Sequence, residues 1–429
     1  MLRSFRTIAL IWIAWAAIII GFQTLVTNRF QPDRPDYATI WSDAETLRTS
    51  QRDWIYLIEP FMNRQVSFDS EYYLGIAVGG YGDEQTHSMR TRSGASYSLT
   101  YAFFPLYPFA MRVLAVPLSI LGLTPIASAT LAGVILSLLG TLAAMVALYD
   151  ITRDELGDAG GIRTAFYLLI FPTSFFFATV YTEGLFVGLA FGSLALMRRR
   201  RLLLAGVLAA LATWTRSIGL LLIIPLALSL LTTLDWTTIR ARTGGGRRSA
   251  DASETAPDAS SDSRRELRTL ALGIVAIILP IAAYLIWQQA LGREFTIVEE
   301  QWFGRELFNF RLMLEGWQYA FEQIISGEFL PRRVYYLLEI AAVVITGIAC
   351  LFTARRYPVI ALFSLAALVL PITTGWPQSL IRYALAVPAL YIFLSQCGRS
   401  TVFDRVWTTA SVMLLSMQTA LFAWDMWVA

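Results

Sequence analysis

Lysine is absent from all 429 residues, so every one of the 34 basic side chains is arginine. Composition bias explains that more simply than mechanism does, and its use is permissive: arginine binds phosphate through a planar, permanently charged fork. Histidine occurs once, at His87, which argues against histidine-based metal chemistry, and no residues are spaced as a metal site. The two cysteines, Cys350 and Cys397, lie in or beside separate apolar segments and suggest neither a disulfide framework nor a zinc site. There is no Gly-rich phosphate loop and no Asp-X-Asp triplet, features that a nucleotide-sugar enzyme often shows. Charged residues make up only 15%, against 56% hydrophobic and 13% aromatic, with a mean hydropathy of +0.55. Those proportions exclude a water-soluble globule, and a net charge of +3 gives no footprint for nucleic acid.

Long unalternating apolar runs are abundant instead. In lipid only helices or closed barrels satisfy the backbone, and runs of this length and pattern favour helices over a barrel. The chain therefore reads as an all-α polytopic membrane protein of roughly 10–12 transmembrane helices. Residues 7 to 28 form a first span behind Arg3 and Arg6, which hold the N-terminus in the cytoplasm. The run is too long for a signal-peptide core and is read as retained. A long external loop follows, about 29 to 100, with Arg29, Asp33, Arg34, Asp43, Glu45 and Arg48 in its first part. Residues 101 to 197 are mostly apolar and close on Arg198-Arg199-Arg200-Arg201, the strongest cytoplasmic marker. Hydropathy divides the chain from residue 7 to 197 into five apolar pieces, yet an inside start and an inside Arg198 require an even number of crossings. One piece between 101 and 197 must be re-entrant, incomplete or split.

Residues 202 to 234 are too long for one ordinary span, so they should run out and back as two short helices with Arg216 at the outer turn. From 235 to 268 the composition shifts to Gly, Arg, Ser, Ala and Asp, read as a flexible cytoplasmic linker. This divides the chain into an N-terminal membrane module, 1 to 234, the linker, and a C-terminal membrane module, 269 to 429. The latter carries an external loop at about 292 to 333 and spans at 269–291, 334–353, 357–374, 380–396 and 407–427.

That topology gathers the polar motifs on one face. Asp69, Arg216, Arg305, the turn at 375 to 379 with Arg382 beyond it, and Tyr181-Thr182-Glu183 all fall at the outer boundary. Charge is expensive in a membrane, by about 3 kcal/mol on insertion scales, so such convergence suggests a site. Sugar transfer from a lipid phosphate to an alcohol needs a base near the acceptor hydroxyl and cations around the leaving phosphate. A carboxylate suits the first task once burial offsets its ordinary pKa of about 4. Arginines suit the second, Arg216 first, Arg382 second, then Arg305.

The stretch Phe68-Asp69-Ser70-Glu71-Tyr72-Tyr73, with Ile76-Ala77, Gly80-Tyr81 and Phe103-Phe104-Pro105-Leu106-Tyr107-Pro108, resembles the PIG-V type of GPI mannosyltransferase. Pro172-Thr173-Ser174-Phe175-Phe176, Tyr181-Thr182-Glu183-Gly184-Leu185-Phe186 and Thr215-Arg216-Ser217-Ile218-Gly219 continue the series. Weaker echoes follow at Gln301-Trp302-Phe303-Gly304-Arg305 and Ser379-Leu380-Ile381-Arg382-Tyr383. Where relatives commonly carry Trp before the Asp this chain has Phe68, which keeps an aromatic and loses the indole donor. The resemblance implies a GT-C-like bundle and an inverting, cofactor-independent glycosyltransferase in the cell membrane. It would take a hexose, mannose by family, from a polyprenyl-phosphate donor to a lipid, glycan or protein acceptor on the extracytoplasmic face. It makes Asp69 the catalytic acidic residue, with Arg216, Arg382, Arg305, Glu71, Tyr73, Tyr81, Tyr181, Glu183, Gln301, Trp302 and Tyr383 as substrate-binding candidates. Membrane lipids are the other expected partners, and no metal is called for.

Each residue also has a plainer reading. Asp69 could cap a helix or pair with a loop arginine, Arg216 could pair with Glu183, and Tyr72, Tyr73, Tyr81, Phe103 and Phe104 suit packing at the interface. A transporter or flippase for a lipid-linked or anionic solute, or a noncatalytic scaffold, fits the composition as well. The transferase reading expects Asp69 and Arg216 to line one cavity.

Overall fold

The computed structural model describes residues 2–29, 55–233, 259–327, 330–424 and 426–428. The first part of the long loop, with Asp33, Arg34, Asp43, Glu45 and Arg48, and residues 234–258 of the linker region lie outside them. Apart from one hairpin, β1 (Ser88–Arg90) on β2 (Ser96–Ser98), every regular element among the described residues is helical.

Helix α1 (Leu2–Arg29) leads to α2 (Ser70–Val78), which starts immediately after Asp69, and to α3 (Leu106–Leu118). Helix α4 (Pro125–Ile170) starts where Thr124 Oγ1 accepts the Ala127 N–H at 3.1 Å and Pro125 pre-sets the first turn. It breaks into two arms at Gly157, whose φ of 73° and ψ of 173° leave the helical region. A 3₁₀ stretch at Ser174–Ala178 then leads to α5 (Glu183–Arg198) and α6 (Leu202–Thr213), and Ser217–Leu222 runs into α7 (Ile223–Thr233).

In the C-terminal half, α8 (Ala259–Gln301) begins inside the stretch read as linker, and α9 (Phe310–Ser326), α10 (Leu330–Ala354) and α11 (Pro358–Ile372) follow. A single turn at Leu380–Tyr383 and a 3₁₀ turn at Ala384–Ala386 meet α12 (Pro388–Cys397) at 84°, and α13 (Thr401–Ala423) completes the order. Among the described residues, five helices are long and apolar enough to cross a membrane singly, and the bent pair ending in α12 makes a sixth if counted as one span. Helices α6, α11 and the segment Ser217–Thr232 are shorter apolar helices that run with them.

Side-chain contacts sort the two ends of the bundle. At one end Phe5 packs on Tyr149, Arg198 lies 3.7 Å from Glu155, Arg199 pairs with Asp150, and Tyr167 donates to Asp404 at 2.5 Å. At the other, Gln65 donates to Gln23 at 2.8 Å and Ser67 donates to the Phe422 carbonyl at 3.0 Å, beside Asp69. The N-terminus and the Arg198–Arg201 run therefore share an end, as charge bias predicts.

The incomplete piece is α3. The Leu106 N–H donates to the Trp214 carbonyl at 3.0 Å, Arg112 donates to the Ala77 carbonyl at 2.6 Å, and Thr124 beyond α3 donates to Glu59 at 3.2 Å. Both ends of α3 thus stay at the Asp69 end, while one face with Phe109, Val113 and Val116 remains exposed and the other buries Tyr107 and Met111. That division is the pattern of a helix lying in the interface. With α1, the two arms of α4 and α5 supply the passes, and the count between residue 7 and Arg198 becomes even.

Close glycine contact sets the height of α5 against α4. A Cβ on Gly184 would meet the Ser137 carbonyl at 2.2 Å, and one on Gly188 would meet the Gly140 carbonyl at 2.4 Å. The backbones touch there, which fixes where Glu183 enters the bundle.

Candidate functional site

Two left-handed backbone positions aim the central charged pair. Phe68 sits at φ 50° and Ser379 at φ 62°, conformations that cost a non-glycine residue free energy and recur where function constrains the chain. Phe68 is anchored by edge-to-face packing on Trp427, with ring centroids 5.3 Å apart. The Tyr181 hydroxyl accepts the Asp69 N–H at 3.2 Å and donates to the Ser67 carbonyl at 3.0 Å, so one buried phenol pins the turn on both sides. Asp69 occupies the cap position of α2 but makes no side-chain cap bond. Its carboxylate turns away to Arg382, whose Nη2 donates to Oδ2 at 2.8 Å.

Arg382 is shared. Its Nε lies 2.7 Å from Glu183 Oε1, and its guanidinium stands over the rings of Tyr181 and Phe176 at 5.1 and 5.3 Å. Arg216 pairs with the same Glu183 oxygen, donates to Thr182 Oγ1 at 3.3 Å, and lies 5.1 Å over the Tyr383 ring. Arg305 reaches the assembly from the other side: its Nη1 donates to the Tyr383 hydroxyl at 3.0 Å, with no carboxylate at ion-pair distance among the described residues. Two guanidinium groups thus meet two carboxylates, with a third joined through the Tyr383 hydroxyl, and the five charged residues come from five separate chain segments. Asp69 keeps 20% of its side chain exposed against 3% for Glu183, and its Oδ1 has no protein partner among the described residues.

Beneath the cluster lies a cleft of about 200 Å³ lined by Glu183, Phe186, Val187, Arg216, Arg382, Tyr383, Leu385 and Ala386. It is polar at one wall and apolar at the other. Arg216 lines it and Asp69 does not; Arg382 stands between the two, bound to Asp69 and Glu183.

Of the residues expected to bind substrate, Arg216, Arg382, Arg305, Glu183, Tyr181, Tyr73 and Tyr383 come together around Asp69. The Tyr73 hydroxyl lies 3.4 Å from Thr182 Oγ1, and burial holds its phenol well above the usual range, so it can only donate or accept a hydrogen bond. The others stand apart from the ion pairs. Glu71 faces away from Asp69, as helical spacing requires, and accepts the His87 N–H at 3.0 Å. Tyr81 donates to the Phe103 carbonyl at 2.8 Å and stacks on Tyr101, a packing role. Trp302 meets the His87 ring edge-on at 5.1 Å, and Gln301 is exposed at the end of α8. Burial also pushes the His87 imidazole below its ordinary pKa.

Sequence reasoning missed Glu339 on α10 and gave no separate role to Thr173 before the 3₁₀ stretch; both hold the backbone next to Arg382. Glu339 could have been found, because it is an acid inside an apolar run.

Fold and site together define a multi-pass helical membrane protein with an acid and arginine cluster at one end of its bundle, next to apolar surface. Residues 12–236 match the model of the mannosyltransferase (PIG-V) family, and the chain belongs to that family. It is 33% identical over 172 residues to GPI alpha-1,6-mannosyltransferase 2 of Cricetulus griseus, a stretch covering 38% of this chain and 31% of that protein. The human protein of the same name is 31% identical over 169 residues, with the same coverage. The chain thus spans about a third of the length of the curated relatives it matches. Among solved structures, ArnT from Cupriavidus metallidurans bound to undecaprenyl phosphate superposes with a TM-score of 0.43 at 14% identity, covering 86% of this chain and 74% of that one. The Archaeoglobus fulgidus oligosaccharyltransferase AglB, in complex with an inhibitory peptide and a dolichol-phosphate, gives 0.40 at 12% identity, with 96% and 55% covered.

Proposed function

We propose that the chain is a membrane glycosyltransferase of GT-C type. It moves a hexose, mannose by its family, from a polyprenyl phosphate to an acceptor hydroxyl. The arginine-rich end faces the cytoplasm, as charge bias favours, so the Asp69 end faces outward from a cell membrane. One observation carries the reading: a single guanidinium, Arg382, is held between a partly exposed carboxylate, Asp69, and a buried one, Glu183.

That arrangement couples donor binding to activation of the base. The donor phosphate competes with Asp69 for Arg382 and is met by Arg216 and Arg305, whose forks match phosphate oxygens. Glu183 stays bound to both Arg216 and Arg382 and holds their spacing. Once Arg382 turns to phosphate, the Asp69 carboxylate gives up its ion-pair partner and both oxygens are free to face the acceptor hydroxyl. It takes the proton of the acceptor hydroxyl as the new bond from oxygen to C1 forms. The bond from C1 to phosphate oxygen breaks with its electron pair on the polyprenyl phosphate, where the three arginines stabilise the charge. One in-line attack inverts the anomeric centre, and no covalent enzyme intermediate is needed. The apolar wall of Phe186, Val187, Leu385 and Ala386 accommodates the first prenyl units.

The test is donor discrimination by the full chain reconstituted in liposomes. Labelled polyprenyl-phosphate mannose should yield mannosylated product with a lipid, glycan or protein acceptor, and GDP-mannose should yield none. Transfer from GDP-mannose alone would refute the lipid-carrier reading.

A further inference from the structure

The turn that carries Arg382 has little to hold itself: the Arg382 and Tyr383 N–H groups both donate to the Ser379 carbonyl at 3.1 Å. A single turn of four residues is too short to be stable as a helix, it follows a strained left-handed Ser379, and it meets α12 at 84°. Yet Arg382 must be aimed closely enough to reach two carboxylates at 2.8 and 2.7 Å.

We infer that Glu339 and Tyr335 on α10, with Thr173, form a backbone clamp that positions Arg382, resting on the site reading given above. The Glu339 carboxylate is fully buried, and its Oε2 accepts the Ile381 N–H at 2.7 Å. Thr173 donates to the Ile381 carbonyl at 3.3 Å from the opposite side. Tyr335, four residues before Glu339 on the same face of α10, accepts the Ser379 N–H at 3.0 Å. Both polar groups of the residue preceding Arg382, and the N–H of the strained residue that opens its turn, are therefore tied to side chains of other elements. An acid buried inside an apolar span is costly, so a packing role does not account for it. Glu339 touches neither Asp69 nor the cleft, so it is a positioning residue that acts through Arg382.

Glu339→Leu and Glu339→Gln separate positioning from general stability. The glutamine retains an oxygen for the Ile381 N–H; the leucine does not. Amide hydrogen exchange of the purified full chain, which needs no activity, should rise in Glu339→Leu at Ser379–Tyr383 and stay as in wild type in α5 and α6. Glu339→Gln should keep exchange near wild type. Turnover with polyprenyl-phosphate mannose should fall about 100-fold in the leucine variant, as misplacement of about 1 Å does, and largely recover in the glutamine variant. Adding Glu339→Leu to Arg382→Ala should cost turnover nothing further. Unchanged exchange at Ser379–Tyr383, or equal rises throughout the bundle, would overturn the clamp. A local rise with full turnover in the leucine variant would overturn positioning. An inactive wild type would instead count against the proposed function, with exchange still deciding the clamp.

Discussion

Removing the charge of Glu183 is the sharpest probe of the cluster's electrostatics. Its Oε1 serves Arg216 and Arg382 together, and the three side chains are 3%, 12% and 11% exposed. In Glu183→Gln, Arg382 retains Asp69, but Arg216 is left with the Thr182 hydroxyl and the Tyr383 ring. Breaking a buried pair by removing one partner costs about 3–5 kcal/mol, because the other charge stays buried without compensation. For a chain of this size that is a fall on the order of 5 °C in the apparent unfolding midpoint, measured in detergent micelles. The double variant Glu183→Gln/Arg216→Met removes the stranded charge and supplies an apolar chain of similar volume, so it should recover most of the loss. A single variant as stable as wild type, or a double variant less stable than the single, would refute the reasoning.

Arg382→Lys keeps the charge but gives up the fork, so one ammonium must choose between Asp69 and Glu183; turnover should fall about 100-fold in a transfer assay, and a wild-type rate would contradict the shared-guanidinium geometry. Gly184→Ala should destabilise by at least the ~1–3 kcal/mol typical of overpacking, since its Cβ meets the Ser137 backbone carbonyl and has no flexible neighbour to displace; a midpoint equal to wild type would show that α4 and α5 can separate. His87, lowered by burial, binds its proton less readily folded than unfolded, so its contribution is complete above about pH 6.5 and fades as pH falls through the lower folded value. His87→Gln should therefore flatten the loss of unfolding midpoint between about pH 7 and 5, and an unchanged slope would assign that loss elsewhere.

Much of this was legible in the sequence, for identifiable reasons. Asp69, Arg216 and Arg382 stood out because charge at a membrane boundary is rare, and the turn at Arg216 followed from a run too long for one span and too short for two ordinary ones. Parity of crossings showed that one apolar piece could not span, but not which. Helix α3 has the leucine, valine and aromatic content of a span, and only its contacts to Trp214 and α2 show that it starts and ends on one side. The break at Gly157 was hidden because either arm of α4 reads as helix. The pairing of Asp69 with Arg382, 313 positions apart, leaves no local trace, whereas the pairing of Arg216 with Glu183 was anticipated as a plainer reading of Arg216. Glu71, Tyr81, Gln301 and Trp302 share the motifs but not the cluster, because helical spacing and the hairpin turn them elsewhere.

The central claim is that Asp69 deprotonates the acceptor after donor phosphate releases it from Arg382. Single-turnover transfer from labelled polyprenyl-phosphate mannose by Asp69→Asn in liposomes, measured with polyprenyl phosphate binding, tests it most directly. The account predicts transfer reduced at least ~100-fold with binding equal to or tighter than wild type, because the phosphate no longer competes for Arg382. Transfer at the wild-type rate, or loss of binding in step with transfer, would contradict it.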